Sequence, residues 1–248
     1  MYKGFYNLTS GMLSQNRRLD VVANNMTNVS TTGYKAEQYI DSTFKEYITS
    51  RIGNKDKSNP AELGGSSYIL APNKLYTDYT QGSLEPTGMP LNFAIEGDGF
   101  FSIQTPQGVA YTRSGDFSLD NEGYLVLPDE GRVLGSNGNP IRLGTHQIEA
   151  DRYGTLYTKD GAVLGKLGIY TFADNEQLTK NPRGLFTGTG AQSVNIPIHW
   201  KILERSNVEL VEQMVDMMSS QRALQSAAQL SKMYDQLMTK ATTDLGRV

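Results

Sequence analysis

Side chains suited to acid–base or metal chemistry are few in this sequence, and each group has a plainer reading. Glu96 and Asp98, within Ile95-Glu96-Gly97-Asp98-Gly99-Phe100, are two carboxylates of the kind glycoside hydrolysis uses. The glycines around them make a tight turn between two strands the simpler reading. Asp116, Asp120, Asn121 and Glu122 gather oxygen donors of the sort calcium needs, but without the EF-hand spacing and around an Asn-Glu-Gly turn. A solvated hairpin is expected there. His146 and His199, the only histidines, share no HxxxH or HExxH spacing. Cysteine is absent, which removes disulfides, thiolate metal sites and a thiol nucleophile. No GxxxxGK[ST] loop is present, so the glycines fit turns rather than a phosphate cradle. Asn7, Asn25 and Asn28 match glycosylation sequons but fall on a helical pattern. No catalysis, cofactor or metal is expected.

Composition points the same way. The 248 residues carry a net charge of -3 and are 38% hydrophobic, enough for one or two domains with a real core. Arg17-Arg18 is the only tight cationic pair, so no nucleic-acid partner is expected. No run of about 18 apolar residues exists, so no membrane insertion is expected. The N-terminus leads into no apolar h-region, and a cleavable secretory signal is not expected. Twenty-five glycines with 14 Tyr and 8 Phe suggest a turn-rich β region.

The elements that remain are strongly patterned. With Phe5 as a heptad a position, the register recurs at Met12, Leu19 and Met26, and the d positions are Leu8, Gln15, Val22 and Val29. Seven of these eight are apolar, the pattern of a coiled-coil seam. Gly33, after Thr31-Thr32, is the expected C-cap. From about Leu203 to Leu245 the chain again reads helical. Leu210, Met214, Met217, Leu224 and Ala228 form one stripe; Ala227, Leu230, Tyr234, Leu237 and Ala241 form another. Ser206 or Asn207 is the expected N-cap, with Glu209 in the first turn. The two terminal helices are expected to meet, and the competing reading has them packing on the β region as core helices.

Between them, residues 34–75 read as an extended linker, rich in polar turn formers such as Gly53–Pro60 and Gly64-Gly65-Ser66-Ser67. Residues 76–200 read as β, with short apolar runs separated by turn signals. Asp120-x-x-Gly123-x-Leu125 recurs as Asp151-x-x-Gly154-x-Leu156, about thirty residues on. The fold class is α+β: long N-terminal (1–33) and C-terminal (201–248) helices pairing as a coiled coil, with a central β-rich domain at 76–200.

Specific residues then narrow the reading. Ala23-Asn24-Asn25-Met26-Thr27-Asn28-Val29-Ser30-Thr31-Thr32-Gly33-Tyr34-Lys35 resembles the N-terminal signature of the bacterial flagellar basal-body rod and hook family. Glu204-Arg205-Ser206-Asn207-Val208-Glu209-Leu210-Val211 resembles its second signature. Gly97-Asp98-Gly99-Phe100-Phe101 and Tyr111-Thr112-Arg113-Ser114-Gly115-Asp116-Phe117 are similar to the middle region of the rod proteins. Thr27 stands where the family usually has Ala, and Leu224 where a Tyr often stands.

The resemblance implies a structural subunit of the basal-body rod, exported outside the cytoplasmic membrane, that assembles into a helical tube and carries torque from motor to hook. Its implied partners are copies of itself, other rod proteins, hook protein, the flagellar type III export machinery and surrounding ring proteins. Phe5, Leu8, Met12, Leu19, Val22, Met26, Val29, Leu210, Met214, Met217, Leu224, Leu230 and Leu237 would supply helix pairing and the subunit interface. Asn24, Asn25, Asn28, Thr32, Gly33, Tyr34, Glu204, Ser206, Asn207 and Val208 carry the family signature. The implied termini stay unfolded until assembly, because neither helix buries its stripe alone. The competing class is a secreted carbohydrate-binding or adhesin-like β domain with helical ends, its ligand at the Glu96–Asp98 turn.

Overall fold

The computed structural model describes the chain apart from residues 1, 44–45, 52–60, 68–69, 182 and 246–248. Helix α1 spans Tyr2–Thr27 and helix α2 spans Leu210–Leu245. Four strands follow α1: β1 (Glu37–Thr43), β2 (Glu46–Arg51), β3 (Ala61–Ser67) and β4 (Leu70–Thr77). The chain divides into two compact units. One holds residues 1–26, 37–76 and 210–248; the other holds 27–36 and 77–209.

In the first unit, β1 pairs with β4, and β2 pairs antiparallel with β3 from Glu46↔Ser67 to Arg51↔Ala61. This stretch was expected to be a linker, and it is instead built of paired strands. An antiparallel ladder satisfies backbone N–H and C=O groups without needing an apolar face, so a polar, glycine-rich sequence such as Gly64-Gly65-Ser66-Ser67 still forms a strand. The turn formers Gly53–Pro60 lie outside the described residues.

The second unit carries β5 (Leu84–Pro86), β6 (Phe93–Ile95), β7 (Phe100–Thr105), β8 (Gly108–Thr112), β9 (Ser118–Leu119), β10 (Leu125–Leu127) and β11 (Gly131–Val133). After them come β12 (Ile148–Ala150), β13 (Thr155–Thr158), β14 (Val163–Lys166), β15 (Ile169–Thr171), β16 (Thr179–Lys180), β17 (Phe186–Thr187) and β18 (Gln192–Ser193). The last two are β19 (Ile198–Trp200) and β20 (Ile202–Glu204). The largest sheet runs β16-β17-β8-β7-β11-β10-β9, with β15 continuing the β7 edge and pairing β18.

Strand β7 shows why the sheet is buried on both sides, since successive side chains point to opposite faces. Phe101 and Ile103 enter the main core with Phe93, Leu125, Val133, Leu156 and Leu167. Phe100 joins Tyr111 and Phe186 in a second, aromatic cluster packed by Tyr79, Tyr170 and Phe172. The sequence echo is one turn built twice. Asp120 and Asp151 each accept a main-chain N–H two residues on, from Glu122 and Tyr153, and Gly123 and Gly154 take φ values of 83° and 80°. Leu125 and Leu156 then drop into the core.

Both helix ends differ from the sequence expectation. α1 stops at Thr27, and Val29 packs with Tyr34, Ala36 and Val208 rather than extending the seam. α2 starts at Leu210, because Ile202–Glu204 is strand β20, pairing Leu84–Pro86. Asn207 is therefore no N-cap.

Candidate functional site

Within the second unit the two signature segments converge on one buried carboxylate. Glu204 is 1% exposed, and its Oε1 accepts from Lys35 Nζ at 2.6 Å and from the Gly82 N–H at 3.1 Å. Its Oε2 accepts from Arg113 Nε at 2.8 Å, and its main-chain carbonyl accepts from the Gly33 N–H at 2.8 Å. Lys35 Nζ also donates to the Thr80 carbonyl at 2.7 Å, and the Arg113 guanidinium donates to the carbonyls of Gly97 and Gly99. Two buried cations thus share one carboxylate. Burial holds the Lys35 pKa below the ordinary lysine range, against the opposing pull of Glu204.

The remaining signature residues knit backbone to backbone. Asn207 Oδ1 accepts from the Ala36 N–H at 2.7 Å, and its Nδ2 donates to the Asp78 carbonyl at 2.9 Å, so one amide joins two chain segments as a strand neighbour would. Ser206 Oγ accepts from the Val208 N–H at 3.2 Å. Gly33 has φ 65°, and a Cβ there would sit 2.3 Å from the Ser114 nitrogen. Its glycine is required by close backbone approach, not by a helix cap. Thr32 and Ser114 hydroxyls meet at 2.9 Å, and Lys180 Nζ lies 3.8 Å from the centroid of the buried Tyr34 ring. Asn28 Oδ1 accepts from Thr31 Oγ1 at 3.1 Å.

In the first unit, Asn25 performs the same service. It is 2% exposed; its Oδ1 accepts from the Glu37 N–H at 3.0 Å, and its Nδ2 donates to the Glu37 carbonyl at 2.8 Å and to Gln213 Oε1 at 3.1 Å. A buried, engaged amide is no glycosylation acceptor. Asn24 is exposed.

The two helices run side by side and antiparallel. Asn25 of α1 meets Gln213 of α2, while Gly4 lies against the Tyr234 ring, its Cβ position 3.8 Å away. The step from residue 4 to 25 equals the step from 234 back to 213, about 31 Å of helix on each side. On α1 the seam positions Leu8, Met12, Leu19 and Met26 are half-buried and Val22 is buried, while Phe5 is exposed. On α2 the less exposed row is Gln213, Met217, Ser220, Leu224, Ala227, Ser231, Tyr234, Met238 and Ala241. Its alternating steps of four and three give the 3.5-residue period of a coiled-coil seam. Met217 and Leu224 fall in this row. Leu210, Met214, Leu230 and Leu237 do not; they point outward with Val211, Val215, Met218 and Met233.

The candidate chemical groups are used elsewhere. Glu96 faces Arg152 at 3.5 Å and His199 at 3.6 Å on the surface. Asp120 accepts from the Glu122 and Tyr124 N–H groups and pairs with Arg132 at 2.9 Å. Partial burial works against its ionisation, and these bonds outweigh that and lower its pKa. Asp98, Asp116 and His146 are exposed, and no group of three or more potential metal-ligating residues exists among the described residues. Sequence reasoning left Lys35 and Arg113 off the candidate list. Both stand inside motifs that the sequence offers, Lys35 at the end of the N-terminal signature and Arg113 within Tyr111–Phe117, but nothing local marks either as the partner of a buried carboxylate.

Comparison with known proteins reads along the whole chain. Residues 5–35 match the family described as flagella basal body rod protein. Residues 94–198 match the flagellar hook protein FlgE/F/G D1 domain, and residues 201–244 the flagellar basal body rod FlgEFG protein C-terminal family. The chain is 32% identical to the flagellar basal-body rod protein FlgG of Bacillus subtilis (strain 168), over 96% of this chain and 97% of that one. It is 32% identical to the flagellar basal-body rod protein FlgF of Caulobacter vibrioides, over 96% of each. It is 27% identical, over the full length of both, to the flagellar hook-basal body complex protein FlhO of Bacillus subtilis (strain 168).

Proposed function

The chain belongs to the flagellar basal-body rod protein family, and we propose that it works as an axial subunit whose paired terminal helices pack on neighbouring subunits. It is a structural subunit of the flagellar basal body. The observation that carries the finer reading is the apolar surface left over once α1 and α2 have paired. Val211, Met214, Val215 and Met218 on one stretch of α2, and Leu230, Met233 and Leu237 on another, are 46–68% exposed. Clusters of exposed apolar side chains of this kind mark a contact surface.

On this reading α1 and α2 build the axial core, the paired strands of 37–76 belong to the same unit as the helices, and the β-rich unit of 27–36 and 77–209 forms the outward domain. Copies of the chain, other rod proteins and hook protein are its axial neighbours, and the contact between copies is heterologous, as a helical array requires. The flagellar export machinery delivers it and ring proteins surround it. Its work is to carry torque, without catalysis. The test is mass spectrometry on basal bodies isolated from the source bacterium, beside a strain lacking the gene. We expect the chain in the isolated particles and no hooks without it. Its absence from the particles, with normal swimming in the deletion strain, would overturn the reading.

A further inference from the structure

The methionines of α2 fall into two environments. Met217 and Met238 lie in the half-buried seam, whereas Met214, Met218 and Met233 are 46%, 51% and 51% exposed on the outward face. Met214 and Met218 sit one turn apart, flanked by Val211 and Val215, and Met233 sits between Leu230 and Leu237 one turn to either side. Each outward thioether is therefore both open to solvent in the free chain and central to an apolar patch.

We propose that Met214, Met218 and Met233 are sites of reversible oxidation by hydroperoxides, and that the sulfoxide form of the chain is excluded from assembly. The inference rests on the reading that this face packs on a neighbouring copy. In the step, the peroxide transfers one oxygen atom to the thioether sulfur; sulfur is oxidised by two electrons and the peroxide is reduced to water or an alcohol. The product is a polar, chiral side chain in the middle of an apolar contact. A neighbouring helix packed on that patch would have to bury the sulfoxide oxygen without a donor, which costs far more than the thioether it replaces. Oxidation acts before assembly, because packing removes the same sulfurs from solvent. A methionine sulfoxide reductase, drawing two electrons from a dithiol, returns the thioether and releases the oxygen as water, so the block is reversible by that enzyme class.

The experiment has two arms. Purified chain is treated with hydrogen peroxide and mapped by peptide mass over time. Met214, Met218 and Met233 should gain oxygen several-fold faster than Met217 and Met238; equal or reversed rates would overturn the proposal. In the source bacterium, a triple Met→Gln variant at 214, 218 and 233 mimics the sulfoxide, and a triple Met→Leu variant keeps the face apolar. Both are good helix formers, and circular dichroism of the purified chains checks that helix content is equal. The Gln variant should lose rods and swimming while the Leu variant keeps both and, after its flagella are sheared off, regrows them in a peroxide dose that blocks regrowth in wild type. A Gln variant that swims like wild type, or a Leu variant as peroxide-sensitive as wild type, would overturn it. Normal swimming in a strain without the gene would instead remove the underlying reading.

Discussion

At the scale of single residues, the buried charges around Glu204 make the sharpest prediction. Lys35 and Arg113 approach its two oxygens at 2.6 and 2.8 Å, so Glu204→Gln leaves two buried cations with no anion. Breaking a buried pair from one side costs about 3–5 kcal/mol, and urea denaturation should show a loss of that size. Lys35→Met leaves a one-to-one pair of Glu204 with Arg113, and its cost should be smaller, about 1.5–3 kcal/mol, the worth of a hydrogen bond to a charged group. Equal losses would mean the charge count is not what matters. The lowered Lys35 pKa adds a pH signature. Between that lowered value and the ordinary lysine value the unfolded chain binds more protons than the folded one, so this group's contribution to stability rises with pH there. Lys35→Met should remove that slope. Gly33→Ala should destabilise the same unit by more than the ~1–2 kcal/mol of a left-handed backbone alone, because the added Cβ meets main-chain atoms of Arg113 and Ser114. The signature residues were legible in the sequence as a group, through family resemblance. Their roles were not, since Glu204 meets Arg113 and Lys35 across 91 and 169 residues of chain, and no local pattern reports such a partner.

At the scale of elements, periodicity was the reliable guide. The α1 heptads run through Leu8, Met12, Leu19, Val22 and Met26, all of which are half-buried or buried. The C-terminal stripes were harder, because α2 carries apolar residues on two faces and the 3.5-residue row was blended with the outward one. Helix ends were misread where a distant partner decides them: Ile202–Glu204 pairs with Leu84–Pro86 and so cannot start α2. The strands of 37–77 were illegible for the opposite reason, since a ladder held by main-chain bonds leaves no alternation in the sequence. The two faces of the helix pair predict different mutant behaviour. Leu19→Asp places a charge in the seam and should cost several kcal/mol of helix pairing, read as lost helix signal, with the β-rich unit still folded. Val215→Asp lies outward, 55% exposed, and should leave the free chain's stability within about 0.5 kcal/mol while abolishing rods. Normal motility in either strain would count against the assignment of faces.

At the scale of the whole molecule, the chain combines a densely buried β-rich unit with a helix pair whose outer surface remains apolar. Limited proteolysis of the purified chain, followed by intact mass, should therefore trim α1 and α2 first and leave a core of the β-rich unit, because exposed helices open more readily than a core built on Phe93, Phe101 and Leu125. Uniform digestion would contradict that division. The central claim is that the outward face of α2 is covered by neighbouring subunits in the basal body, and the absence of native cysteine allows it to be read directly. A chain carrying Val215→Cys has a single thiol, whose reaction with a maleimide is measured in the purified chain and in isolated basal bodies. The account predicts full labelling in the free chain and protection in the particles, with a control thiol at Val163 labelled at least in the free chain. Equal labelling of position 215 in both states would contradict it.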